Sequence, residues 1–317
     1  MKLATFVAPD GAQRVGALTT DGRMAELTGF RDMLALIESG PSVFPKIKNS
    51  LDEAKKTYAL KEVTLLAPIP RPPRIRDFLC FELHVRQSRA NRYLFGMGTA
   101  RLDPAKVEIA KVWYDRPVYY KGNPFSVIGH DAEVHWPSYS RIIDYELEIG
   151  LVIGRGGRNV PGKDALSHVF GYTVFNDFSA RDEQYIEMQG LLGPAKGKDF
   201  DTGNSLGPWI TTADEIPDPQ NLDMAARVNG ETWSRGNSRD MRHGFRDIVA
   251  HASLEETLHP GEVLGSGTVG GGCGNELGRF LKHGDVVELE VAGIGVLRNR
   301  IVAPHVLQVP ALPIKIL

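Results

Sequence analysis

Alternating apolar and polar positions open the chain. Lys2 to Val7 and Arg14 to Leu18 each read as a strand, Asp10-Gly11 and Asp21-Gly22 read as turns, and a helical repeat follows around Met33, Leu34 and Ile37. These elements predict a small α+β unit. The stretch Pro68-Ile69-Pro70-Arg71-Pro72-Pro73 cannot supply regular backbone donors and pushes its neighbours toward extended conformations, which marks it as the linker. The predicted organisation is a small N-terminal α+β domain with its linker over residues 1–70, then a larger domain over residues 71–317.

Past the linker, short apolar runs recur at Ile142 to Ile153, Gly171 to Phe178, Trp209 to Thr212, Met224 to Val228 and Val286 to Val291, with turn signals such as Gly293 and Gly295. Helical patterns are fewer, chiefly Lys163 to Val169 and Ser179 to Met188, with Ser179 as N-cap. The expected fold class is α+β, mostly β, and not an alternating βαβ array. Residues 86–112, polar and basic and then mixed, read as an extended loop or a helical excursion, a candidate lid.

A length of 317 residues suits this division into one large and one small unit. The 37 basic and 39 acidic residues leave a formal charge of −2, so nothing electrostatic favours nucleic acid or an anionic membrane as partner; small molecules are the expected ligands. Two distant cysteines, Cys80 and Cys273, make neither a disulfide framework nor a zinc motif and read as reduced thiols of a cytoplasmic protein. The first strand meets Pro9-Asp10-Gly11 too soon for a secretory hydrophobic region, and no window approaches a membrane span.

Chemistry is concentrated in acidic residues. In Ile143-Asp144-Tyr145-Glu146-Leu147-Glu148-Ile149 a strand places Asp144, Glu146 and Glu148 on one face. A solvated polar face is the ordinary reading of such alternation. The continuation Gly150-Leu151-Val152-Ile153 is apolar on both faces, however, and points to an interior strand, where clustered acids repel unless a cation compensates them. Oxygen donors favour Mg²⁺, Mn²⁺ or Ca²⁺ over zinc. Asp177 ends a second apolar strand, and Arg181, Gln184 and Met188 then share a helix face. His84 lies seven residues after Asp77, with Glu82 or Glu276 as the carboxylate that would orient it as a general base. Lys198 sits in a glycine-rich loop and could stabilise an oxyanion; Gly265 to Gly274 could bring backbone donors and the Thr268 hydroxyl to a ligand. Gly154-Arg155-Gly156-Gly157 lacks the last glycine and the clean helix of a dinucleotide fingerprint and is set aside.

In their order along the chain these segments resemble the fumarylacetoacetate hydrolase family over residues 71–305. The resemblance rests on Asp-Tyr-Glu-Leu-Glu at 144–148 and Asn-Asp-Phe-Ser-Ala-Arg-Asp at 176–182, and it implies a mixed β-sandwich or β-roll catalytic domain. It carries over Glu146, Glu148 and Asp177, with Asp77, as ligands of a divalent cation, Mg²⁺ first and Mn²⁺ or Ca²⁺ next, and leaves Asp144 behind them. His84 matches the catalytic histidine, oriented by Glu276 or Glu82, while Lys198, Arg181, Gln184, Thr202, Tyr120 and Thr268 match positions near substrate or metal. Leu79 and Met188 stand where the true fumarylacetoacetate hydrolases present tyrosines, which implies a bacterial member with a divergent, less polar pocket.

The implied activity is hydrolysis of a C–C bond in a 1,3-diketone or acylpyruvate. His84 would activate water, and the metal and Lys198 would stabilise the enolate. Decarboxylation, tautomerisation or lyase chemistry of a 2-oxo acid on the same fold is the alternative; a non-catalytic metal-binding relative is another. A homodimer is also implied.

Overall fold

Strand Lys2–Val7 turns at Asp10-Gly11, where Gly11 takes a positive φ of 81°, and pairs antiparallel with Gln13–Leu18. On its other edge Leu3 pairs with Ile210 of strand Asn204–Thr212, so the N-terminal strands join the sheet that carries the rest of the chain. The computed structural model describes residues 1–40, 42–52 and 56–303; the end of the expected larger domain, 304–317, lies outside the described residues.

The main sheet continues from Asn204–Thr212 through Val169–Asp177, Leu147–Ile153, Val263–Gly265 and Ile75–Phe78 to Tyr119–Gly122. Pairing is antiparallel except between Val263–Gly265 and Ile75–Phe78, and where Val127–Ile128 joins Asn204–Thr212, so the sheet is mixed. A second sheet contains Glu231–Asn237, Asp223–Val228, Val286–Val291, Gly295–Val302 and Glu133–His135.

Strand Leu147–Ile153 is buried throughout because both faces are covered. Leu147, Ile149, Leu151 and Ile153 join one core with Met224, Ala226, Leu289 and Leu297 of the second sheet. Val152 faces the opposite core, with Phe170, Phe175, Ile210 and the N-terminal Leu3, Met33 and Ile37. Period-two alternation thus divides one strand between two cores and delivers Glu148 to the side away from Leu147. The fold is α+β and mostly β, as expected.

Three local expectations change. The helix expected over Lys163 to Val169 is only a 3₁₀ turn, Ala165–His168, because Val169 already begins the long buried strand Val169–Asp177. Ser179 is not an N-cap: Ser179–Ala180 pairs with Ile143–Asp144, and helix Arg181–Met188 begins beyond it. The run Ile142 to Ile153 is likewise broken at Tyr145 and Glu146 between strands Ile143–Asp144 and Leu147–Ile153. Residues 86–112 take the helical alternative, with helix Glu82–Ala90, 3₁₀ turns Arg92–Phe95 and Pro104–Lys106, and the start of helix Lys111–Asp115.

Candidate metal centre and its cavity

Neighbouring strands bring four carboxylates together. Asp77 lies on Ile75–Phe78, Glu148 on Leu147–Ile153 and Asp177 at the end of Val169–Asp177; Glu146 sits in the break before Leu147, its backbone amide donating to Asn176 Oδ1 at 2.9 Å. Oxygen atoms of Asp77, Glu146, Glu148 and Asp177 fall within 4.8 Å of one another, and all four residues are buried. Gly265, opposite Asp77 in the parallel ladder, keeps that space open, since a Cβ there would lie 2.3 Å from Asp77 Oδ1.

Two cations meet this cluster. Lys198 Nζ donates to Glu146 Oε2 at 2.7 Å and Asp177 Oδ2 at 2.5 Å. Arg181 pairs with Glu146 Oε1 at 2.8 Å and with Asp144 Oδ2 at 2.7 Å. Asp144 also accepts the amides of Gly274 and Asn275, so it positions Arg181 and the glycine-rich loop and stands outside the four.

Burial is the largest influence on each acid. It pushes Asp77 and Glu148 well above the usual carboxylate range, and the charge of Asp177 beside Asp77, and of Asp77 beside Glu148, adds to the rise. Asp177 rises to about 6, burial outweighing Lys198. For Glu146 burial is overcome by Lys198 and Arg181, which hold it below its ordinary value. Burial also works against the Lys198 ammonium, but Asp177 and Glu146 raise its pKa and keep it charged.

A hard divalent cation fits this donor set. The donors are all carboxylate oxygens, and buried Asp77 Oδ1 and Asp177 Oδ1 have no hydrogen-bond partner among the described residues. Binding it must displace protons from the raised acids. Cation affinity is therefore expected to climb as pH rises through about 6, where Asp177 deprotonates, with proton release measurable by calorimetry in buffers of different ionisation heat. The sign for folding is opposite. A folded value of about 6 against an ordinary 3.8 means this group's favourable contribution, full at low pH, is lost as pH rises through 6 in the cation-free protein.

Beside the carboxylates, His84 Nδ1 lies 2.8 Å from Glu276 Oε1. Glu276 is fixed by the Gly271 amide at 2.7 Å, the Gly272 amide at 3.0 Å and the Cys273 thiol at 3.4 Å. Burial pushes that thiol up, so Cys273 stays protonated. Glu82 does not orient His84; it bonds Arg86 and the Tyr114 hydroxyl.

The four carboxylates, Lys198, Arg181 and His84 line a cavity of about 280 Å³. Tyr120 donates to Asp177 Oδ2 at 2.6 Å, Thr268 donates to Glu148 Oε1 at 3.1 Å, and Gln184 accepts from Arg181 at 2.7 Å. Leu79 and Met188 line it too. Thr202 is not among the lining residues. Its hydroxyl accepts the His135 amide at 2.8 Å and secures a strand of the second sheet. Sequence reasoning passed over Ser88, Tyr185 and Asn275: Tyr185 donates to the Ser88 carbonyl at 2.9 Å and accepts from Asn275 Nδ2 at 3.1 Å. The available signal was that Ser88 follows His84, and Tyr185 follows Arg181, by four residues, one helical turn.

A mixed, mostly β scaffold that focuses buried carboxylates, a charged lysine and a histidine–glutamate pair on one small-molecule cavity defines an enzyme class built around a carboxylate centre. The chain belongs to the fumarylacetoacetate hydrolase family, residues 75–302 matching the model described as Fumarylacetoacetate (FAA) hydrolase C-terminal. It is 33% identical over 312 residues to the human mitochondrial oxaloacetate tautomerase FAHD2A, covering 95% of this chain and 92% of the relative. It is 32% identical over 246 residues to the oxaloacetate tautomerase YisK of Bacillus subtilis (strain 168), covering 77% of this chain and 75% of that one. Among solved structures, the fumarylacetoacetate hydrolase of psychrophilic Exiguobacterium antarcticum superposes with a TM-score of 0.77 at 28% identity, covering 96% of this chain and 100% of that chain. Among the described residues no helix is long and apolar enough to cross a membrane.

Proposed function

We propose that this protein catalyses keto–enol tautomerisation of a 2-oxo acid, with oxaloacetate the first substrate to try, using a divalent cation, Mg²⁺ first, held by Asp77, Glu146, Glu148 and Asp177. The observation that carries this is the convergence of the His84–Glu276 pair and the charged Lys198 on the cavity that contains the four acids. Similarity to two oxaloacetate tautomerases supports the choice of substrate.

When bound, the cation supplies positive charge at the substrate's carboxylate and 2-oxo oxygens and so acidifies the neighbouring C–H. Glu276 accepts the Nδ1 proton of His84, which leaves Nε2 as the basic atom. His84 removes a proton from carbon 3; the C–H pair becomes the new C2=C3 bond, and the former carbonyl electrons settle on oxygen. Lys198, held charged by Glu146 and Asp177, donates toward that oxygen, and the proton on His84 is returned there to complete the enol.

Hydrolysis of a C–C bond in an acylpyruvate or 1,3-diketone is the second reading. It is favoured by the structural likeness to the Exiguobacterium hydrolase, since the same His84–Glu276 pair is suited to deprotonating water. Oxaloacetate and acetylpyruvate offered in ¹⁸O-water to Mg²⁺-loaded protein, with and without chelator, separate the two. Chelator-sensitive tautomerisation of oxaloacetate with no ¹⁸O-labelled acetate is the expected result. Labelled acetate from acetylpyruvate without oxaloacetate tautomerisation would install the hydrolase, and turnover of neither would leave a metal-binding relative. A homodimer and a cytoplasmic location, the latter resting on the buried free thiols Cys80 and Cys273, complete the proposal.

A further inference from the structure

Three lysine or arginine side chains line the cavity, and they differ in what they face. Lys198 is paired with Glu146 and Asp177, and Arg181 with Asp144 and Glu146. Arg89 pairs with no carboxylate among the described residues; its guanidinium donates to the Glu108 carbonyl at 3.0 Å. It is also the exposed one of the three, whereas Lys198 and Arg181 are buried.

Helix Glu82–Ala90 fixes its distance from the chemistry. Ser88 Oγ lies 3.5 Å from His84 Nδ1, one turn back, and Arg89 follows Val85 on the adjoining row, both facing the cavity. Five residues of helix separate His84 and Arg89 by about 7.5 Å along the axis. Phe78, Leu79, Val85, Val118 and Met188 line the same cavity, with Gln184 and Tyr185 among its polar lining. The cavity thus combines a buried charged cluster, a largely apolar lining and one exposed arginine.

On the 2-oxo acid reading above, the buried charged cluster takes the oxo group and the adjacent carboxylate. A second carboxylate on the same molecule would lose hydration against the apolar lining unless a cation met it. The fork of an arginine meets a carboxylate with two parallel hydrogen bonds. We propose that Arg89 is a specificity-determining residue that receives a second carboxylate of the substrate, making the cavity selective for 2-oxo dicarboxylates over 2-oxo monocarboxylates.

Malate and its 4-amide test this independently of turnover, because both carry the 2-hydroxy acid head, neither has an oxo group to enolise, and only malate has the second charge. Calorimetry on the Mg²⁺-loaded protein should show malate binding about 10- to 100-fold more tightly than the amide, the range for a charged hydrogen-bonded partner. Arg89→Gln should bring the ratio close to one by weakening malate alone, with Mg²⁺ affinity unchanged. No preference in the parent protein, an unchanged ratio in the variant, or equal weakening of both ligands would each overturn the assignment. Oxaloacetate turnover is read separately. Lost preference without any oxaloacetate tautomerisation removes the proposed reaction and keeps Arg89, whereas tautomerisation with an unaltered KM in Arg89→Gln keeps the reaction and removes Arg89.

Discussion

Glu148→Gln is expected to reduce turnover by about 10²- to 10³-fold, the scale on which loss of charge stabilisation at a reacting oxygen acts, because the variant holds the charge-stabilising cation poorly, while the cation-free protein melts within a degree or two of the parent. The two outcomes belong together. Burial and the charge of Asp77 raise Glu148 well above the usual carboxylate range, so burial there disfavours the charged form and a neutral glutamine of the same shape replaces it at little cost in the cation-free protein. In the variant the Gly267 amide can donate to the glutamine oxygen, and the Thr268 hydroxyl can turn to accept from the glutamine amide nitrogen. What the amide cannot supply is the fourth negative charge. A cation at a hundred times its Kd stabilises the parent by about 2.7 kcal/mol, and Glu148→Gln should lose most of that increment. Melting curves with and without Mg²⁺ measure both quantities. A variant that melts far lower without cation would make Glu148 a folding residue, and one that keeps the Mg²⁺ increment would remove it from the ligand set.

His84→Asn should lower turnover by about 10² to 10⁴, the usual contribution of a positioned general base, with Mg²⁺ affinity within about twofold because the imidazole is not among the four acids. Glu276 retains the Gly271 and Gly272 amides as donors when the histidine is gone, so it is not stranded as an unpaired buried charge. Stopped-flow turnover together with a cation titration checks both halves. Near-parental turnover would take His84 out of the chemistry, and a large loss of Mg²⁺ affinity would make it a structural support of the centre.

Local pattern revealed part of this site and concealed the rest for identifiable reasons. Alternation found Glu146 and Glu148 but grouped Asp144 with them, because nothing in the run announces the break at Tyr145 that turns Asp144 toward Arg181 and the amides of Gly274 and Asn275. Sequence proximity made Glu82 a partner for His84. On a helix, residues two apart do not face each other, whereas Glu82 meets Arg86 one turn on, and His84 finds Glu276 from a remote loop. Ser179 has the composition of a helix cap, yet its backbone is needed in a ladder with Asp144 that no local rule contains. Asp77, Glu148 and Asp177 meet through parallel and antiparallel pairings across the whole chain, so their convergence was carried by the resemblance in motif order and not by periodicity. Strands with both faces buried were the most legible, since Val169–Asp177 and Leu147–Ile153 have little other use for such apolar runs.

Hydrogen–deuterium exchange at carbon 3 of oxaloacetate in D₂O, followed by proton NMR with Mg²⁺-loaded protein, reads the proposed proton abstraction itself. The proposed mechanism predicts exchange well above the uncatalysed and Mg²⁺-only rates, suppressed by chelator and in both Glu148→Gln and His84→Asn. Exchange on the Mg²⁺-loaded parent protein that does not exceed the Mg²⁺-only rate would contradict it.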